Sequence, residues 1–185
     1  MKKAKIEKAI NEAEKIDYDK KGNAVIYVGL KSKEDFYNPY CDKTYSMLNG
    51  DMLEYIETNA MTLPKRRDIA IEISTETPTS DKEKSQMKDA IQRQFAEELI
   101  HQKRKLKINL IATLVLSIIG LGVLALAVFL ENLNISSILS NTVMIAAWVF
   151  VWDAVDNFFI RRPSMRMKYK LLQKLIKAEV RIKQY

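Results

Sequence analysis

The sequence predicts an α+β fold: a small cytoplasmic module built on a short βαβ-type unit with flanking helices, joined to a two-helix transmembrane hairpin. Three observations carry that expectation. The stretch from Ile108 to Leu130 contains no charged residue. A second, mostly apolar stretch, from about Ser136 to Ile160, has Asp153 and Asp156 as its only charged residues. Ahead of both, the chain switches between periods of two and of about 3.6 residues, the marks of strands and amphipathic helices.

Residues 1–80 are read as the module. Ile6, Ile10, Ala13 and Ile16 recur at helical spacing among lysines and glutamates, which predicts a short amphipathic helix over 2–17. With charges every few residues and no small-residue cleavage site, this segment is not expected to be a signal peptide. Residues 23–30 (NAVIYVGL) are rich in β-branched and aromatic residues, and residues 67–74 (RDIAIEIS) alternate Ile69, Ile71 and Ile73 with Ala70, Glu72 and Ser74; both predict strands. Between them, Tyr45, Leu48, Met52, Tyr55 and Ile56 predict a helix lasting to about Ala60, bounded by Pro39 and Pro64. Two parallel strands with one helix make a poor core, so the N-terminal helix or a second copy of the chain is expected to cover the remaining surfaces.

Residues 81–107 are read as a linking helix. Ser80 and Glu83 fit a capping box, and Met87, Ile91, Phe95 and Leu99 line one side. No helix breaker precedes the first span, so one helix from Asp81 to Leu130, about 75 Å long, is expected.

The hairpin comprises span 108–130, a short extracytoplasmic loop 131–135 and span 136–160. The first span, as a helix, covers about 35 Å, enough for a bilayer core with some tilt. Lys103, Arg104, Lys105 and Lys107 precede it and Arg161 and Arg162 follow the second span, whereas the connecting loop has Glu131 and no base. Positive flanks stay inside, which predicts a multi-pass plasma-membrane protein with both termini cytoplasmic. The Asn134-Ile135-Ser136 sequon lies too close to the bilayer to be expected to carry a glycan.

Within the hairpin, Asn109, Thr113, Ser117, Gly120 and Ala127 form a stripe of small or hydrogen-bonding side chains on one helical face, suited to close packing on the second helix or on another subunit. Asp153 and Asp156 share a face of the second helix, and a carboxylate in a bilayer needs a partner or water. They are expected either to pair with the flanking bases or, in an oligomer, to stand at the inner mouth of a pore. Trp148 and Trp152, with Lys103, Arg104, Lys105, Arg161 and Arg162, are the expected interface anchors.

Residues 161–185 are read as a basic amphipathic helix opened by Pro163, with Leu171 or Leu172, Leu175, Ile176, Val180 and Ile182 on its apolar side. Its bases, Arg161, Arg162, Arg166, Lys168, Lys170, Lys174, Lys177, Arg181 and Lys183, face only Glu179 in acid, and they more than account for the net charge of +7. Because this excess begins where an apolar span ends, the expected partner is a bilayer with anionic headgroups, not nucleic acid.

The sequence supplies little for catalysis. His101, the one histidine, adjoins a basic run, and Cys41, the one cysteine, has no thiol to pair with. Gly29-Leu30-Lys31-Ser32 resembles only the tail of a phosphate-binding loop, and zinc and calcium ligand spacings are missing. No enzyme activity and no cofactor is expected. The expected role is a membrane-anchored sensor, adaptor or scaffold that forms a homo-oligomer or engages a cytoplasmic protein, with an oligomeric channel or membrane-disrupting effector as the rival.

Overall fold

The structure, a computed structural model, describes residues 16–40, 47–64, 66–133 and 137–184. Most of the expected N-terminal helix, Cys41, Tyr45 and the Asn134 to Ser136 sequon lie outside the described residues. In chain order the elements are β1 (Ala24–Leu30), a 3₁₀ turn (Glu34–Phe36), α1 (Gly50–Thr62), β2 (Ile69–Thr75), α2 (Asp81–Asn132), α3 (Ser137–Asp156), a π-helical turn (Asn157–Arg161), α4 (Arg162–Lys177) and β3 (Glu179–Gln184). They form two units, one from Met1–Glu98 with Leu171–Tyr185 and the other from Leu99–Lys170.

The first unit is mixed α/β. β1 pairs with β2 and β2 with β3, all in parallel, so β2 is central. Register places Ile26, Ile71 and Val180 in one row and Val28, Ile73 and Ile182 in the next. Side chains alternate across the sheet. This apolar face is closed, with Ile71 and Ile73 fully buried, whereas the opposite face carries the row Tyr27, Glu72 and Arg181. α1 contributes Met52, Ile56 and Ala60 to the core. Asn49 caps α1, its side chain accepting from Asp51 N at 2.9 Å. Leu63, held extended before Pro64, ends it. Met87, Ile91 and Phe95 of α2 and Leu172 and Leu175 of α4 are buried in the same unit.

The third strand corrects the expectation of a helix through residue 185. α4 stops at Lys177, and Glu179–Gln184 pairs with β2. Val180 and Ile182 are two residues apart, a spacing that alternation requires and that the end of a helical stripe also tolerates. Pairing with β2 decides between them, and it supplies the strand that the βαβ unit lacked. The chain segment between β2 and β3 therefore contains both long apolar helices.

The second unit is built from parts of two long helices: α2 runs for 52 residues, about 78 Å, of which Leu99 onwards belongs to this unit, and the helix that begins at Ser137 continues to Lys177, belonging to it as far as Lys170. The sequence predicts that Pro163 opens a separate helix; in the structure Pro163 instead lies within this continuous one. Its missing N–H and the clash of its ring with the preceding turn are accommodated by the π-helical turn just before it, where Arg162 N bonds to Asn157 O. Both helices are long and apolar enough to cross a membrane, and only 17% of the most apolar window of each is buried. Core helices of water-soluble proteins bury far more of such a surface.

The two helices meet along a repeat close to seven residues. Asn109, Thr113, Gly120 and Ala127 are buried on α2, and Ser140, Ala147 and Ala154 on α3. A seven-residue repeat is the geometry of helices that supercoil with a left hand.

Candidate functional site

Three places concentrate polar chemistry: the interface between α2 and α3, the carboxyl end of the sheet and the cluster around Arg181. In the hairpin, Asn109 Nδ2 donates to Asn157 Oδ1 at 3.3 Å, and Asn109 Oδ1 is buried without a donor. Thr113 and Ser117 return their hydroxyls to the carbonyls of Asn109 and Thr113, each at 2.8 Å, so these hydroxyls bond along their own helix. Ser140 Oγ donates across to Ala127 O at 3.2 Å. At Gly120 the helices approach so closely that a Cβ would stand 3.0 Å from Val151 Cγ2 and 3.2 Å from Val151 N. The small-residue stripe thus lies against the second helix of the same chain, with Ser117 only half-buried.

The two aspartates differ. Asp156 is ion-paired, its Oδ2 2.7 Å from Arg161 Nε, through the helical spacing that brings the two residues close. Asp153 is exposed on α3, close to the exposed indoles of Trp148 and Trp152 in sequence. Arg162 lies 5.9 Å from the Phe158 ring, with Nε and Nη1 buried and unpaired. Lys103, Arg104, Lys105 and Lys107 project to the surface of α2.

The sheet end was missed in the sequence. Parallel pairing brings the segments that follow β1 and β2 to the same edge, where Lys33, Glu34, Tyr37, Thr79, Glu83, Gln86 and Met87 line a cleft of about 190 Å³. Lys33 N donates to Thr77 Oγ1 at 3.1 Å, which ties the first segment to the second. Lys33 Nζ donates to Glu83 Oε1 at 2.8 Å, while Glu83 Oε2 accepts from Ser80 N at 2.8 Å and Ser80 Oγ at 2.9 Å. The expected capping box is present, with the lysine as an added partner. The Lys33 ammonium and then the Ser80 donors hold the Glu83 carboxyl down at about 2, and Glu83 in turn raises Lys33. Burial, and then the charge of Glu83, raises Tyr37. Only the Ser80/Glu83 signature was legible beforehand; Lys33 and Tyr37 sit in segments without periodicity.

A third polar cluster fastens β3. Arg181 Nη2 lies 2.6 Å from Asp19 Oδ2 and 2.9 Å from Glu179 Oε2, Lys21 Nζ lies 3.0 Å from Glu179 Oε2, and Lys183 Nζ donates to Glu72 Oε1 at 2.6 Å. Gly22, at φ +82°, makes the turn that lets Asp19 accept from Lys21 N and Asn23 N. Desolvation of Asp19 opposes its ionisation, but bonds from Asn23, Arg181 and Lys21 outweigh it and hold the carboxyl at about 2. Arg181 and then Lys21 hold Glu179 at about 2 as well.

No match to this chain was found among protein-family models, curated proteins or solved structures.

Proposed function

We propose that this protein is a membrane-anchored sensor, adaptor or scaffold, with the α/β unit and both termini in the cytoplasm and the hairpin in the plasma membrane. The observation that carries it is topological. The two apolar helices occupy the connection between neighbouring strands β2 and β3 of a single sheet, so both inner ends of the hairpin are tied to the same small module. A partner or second copy engaging that module acts on both connections at once. The basic flanks support the inside orientation and an anionic inner leaflet as the surface they face.

A second reading rests on Asp153, which is exposed on a helix otherwise suited to lipid and is a candidate lining residue for a pore assembled from several hairpins. Ion flux from liposomes containing the full chain distinguishes the two. If a correctly inserted wild type conducts and an Asp153→Asn/Asp156→Asn variant inserts equally without conducting, the channel replaces the scaffold. An insertion-matched wild type that leaves the liposomes sealed while retaining self-association or partner binding supports the anchor.

A further inference from the structure

We propose that the cleft at the carboxyl end of β1 and β2 binds a small zwitterion of the α-amino-acid type, its carboxylate on the Lys33 ammonium and its ammonium group on the Glu83 carboxylate. The proposal deepens the sensor reading and rests on it for its biological sense, though not for the binding itself.

Position comes first. Open parallel sheets bind ligands in the crevice outside the carboxyl ends of their strands, because loops leaving neighbouring strands converge there. In this chain Lys33 and Tyr37 follow β1, Thr79 follows β2, and Glu83, Gln86 and Met87 lie in the first turns of α2. Size comes next. About 190 Å³ is below the range of roughly 300–1,000 Å³ typical of drug-sized ligands, which suits a molecule of few heavy atoms.

Charge selects the class. Lys33 and Glu83 are already paired at 2.8 Å, so an entering ion must compete with that contact. A lone anion that takes Lys33 leaves Glu83 without its cation, and a lone cation that takes Glu83 leaves Lys33 without its anion. A zwitterion exchanges one ion pair for two and leaves the net charge of the cleft unchanged, which avoids stranding either group. The rest of the lining suits such a molecule. Met87 is buried and presents a thioether, the Tyr37 ring adds apolar surface, and the Gln86 amide offers hydrogen bonds, while the Thr79 hydroxyl is engaged with Thr77 O and Thr75 Oγ1, each at 3.2 Å. Glu83 Oε1 holds Lys33 while its Oε2 caps α2, so the carboxylate that would take the ligand's ammonium group is also part of the N-terminal cap of the helix that continues into the first apolar span.

The test uses the full chain in nanodiscs and isothermal titration calorimetry. The probes are glycine, L-alanine, L-serine, L-glutamate and L-lysine, with acetate, methylammonium and inorganic phosphate as single-charge comparisons. Saturable binding of at least one amino acid is expected, tighter than any comparison ion, and Lys33→Met and Glu83→Gln should each weaken it roughly tenfold or more. Lys33→Arg keeps the charge and should retain most of the affinity, and amide protection of β2 checks that each variant folds. The proposal is overturned if no amino acid binds, if acetate or phosphate binds as tightly, or if folded Lys33→Met and Glu83→Gln bind like wild type. The chain's two tryptophans, Trp148 and Trp152, both lie on α3, so their fluorescence reports on the hairpin alone. Binding that leaves their emission unchanged keeps the site and sinks the sensor reading; no binding sinks the site and leaves an adaptor or scaffold standing.

Discussion

Gly120 and Gly122 provide an internally controlled test of the hairpin. They are two residues apart on α2, yet a Cβ on Gly120 would meet Val151 Cγ2 at 3.0 Å, Val151 N at 3.2 Å and Phe150 Cβ at 3.3 Å, whereas a Cβ on Gly122 would meet nothing within 4 Å. Replacing either glycine by alanine changes intrinsic helix propensity equally, by up to about 1 kcal/mol, so that contribution cancels in the comparison. What remains is contact with α3. Because one of the close atoms is backbone, it cannot rotate away, and the helices must separate by a few tenths of an ångström. Overpacking of this kind costs about 1–3 kcal/mol. Gly120→Ala should therefore be less stable than Gly122→Ala by about that amount, and the gap should widen with leucine at both positions. Steric trapping of the hairpin in bicelles measures the difference directly. Equal stability of Gly120→Leu and Gly122→Leu would show that α2 and α3 do not pack along this stripe, and the placement of Asn109, Thr113 and Ala127 against α3 would fall with it.

Three further outcomes follow from the sheet unit. Ending the chain after Ala178 removes β3 and exposes the edge of β2, so amide exchange across Ile69–Thr75 should accelerate markedly, while a chain lacking only Tyr185 should exchange as wild type does. Acid should loosen the same strand. Asp19 and Glu179 titrate near 2 in the folded chain against ordinary values of 3.8 and 4.5, so their stabilising contribution is complete above about pH 4.5 and disappears as pH falls towards 2. Chemical denaturation between pH 6 and pH 2.5 should show this loss, and Arg181→Gln should start less stable and lose less on acidification; an unchanged pH profile in that variant would exclude the ion pairs as the cause. Ile71→Ala, at a fully buried position of the central strand, should cost about 2–5 kcal/mol, and a cost below about 1 kcal/mol would show that the apolar face is not a packed core.

Much of this architecture is local and was open to reading from the sequence. Long uncharged runs mark the two apolar helices, since satisfying the backbone without water requires helices when the surroundings are apolar. Alternation of Ile69, Ile71 and Ile73 marks β2, and the reciprocal bonds of Ser80 and Glu83 depend on residues only three apart. The stripe of small residues was equally visible, because helical spacing alone places Asn109, Thr113 and Gly120 on one face. Topology, orientation of the carboxylates and the cleft were not. The two aspartates are three residues apart and equivalent in spacing, yet only Asp156 is ion-paired to Arg161, at 2.7 Å, while Asp153 remains exposed.

The sequence by itself determined the capped start of α2, the two long apolar helices and the small-residue face of the first of them, because those features follow from the chemistry of residues within a few turns of one another. Tertiary structure alone decided that Glu179–Gln184 is a strand, since its partner Ala70–Thr75 lies on the far side of both apolar helices in the chain. Val180 and Ile182 satisfy a helix stripe and a strand face alike until the hydrogen bonds of β2 are available to choose. The same parallel pairing gathered Lys33, Tyr37, Thr79 and Glu83 at one edge, residues that no local period connects. Local periodicity selects elements, whereas backbone pairing across long sequence separations selects the sheet and the chemistry assembled at its end.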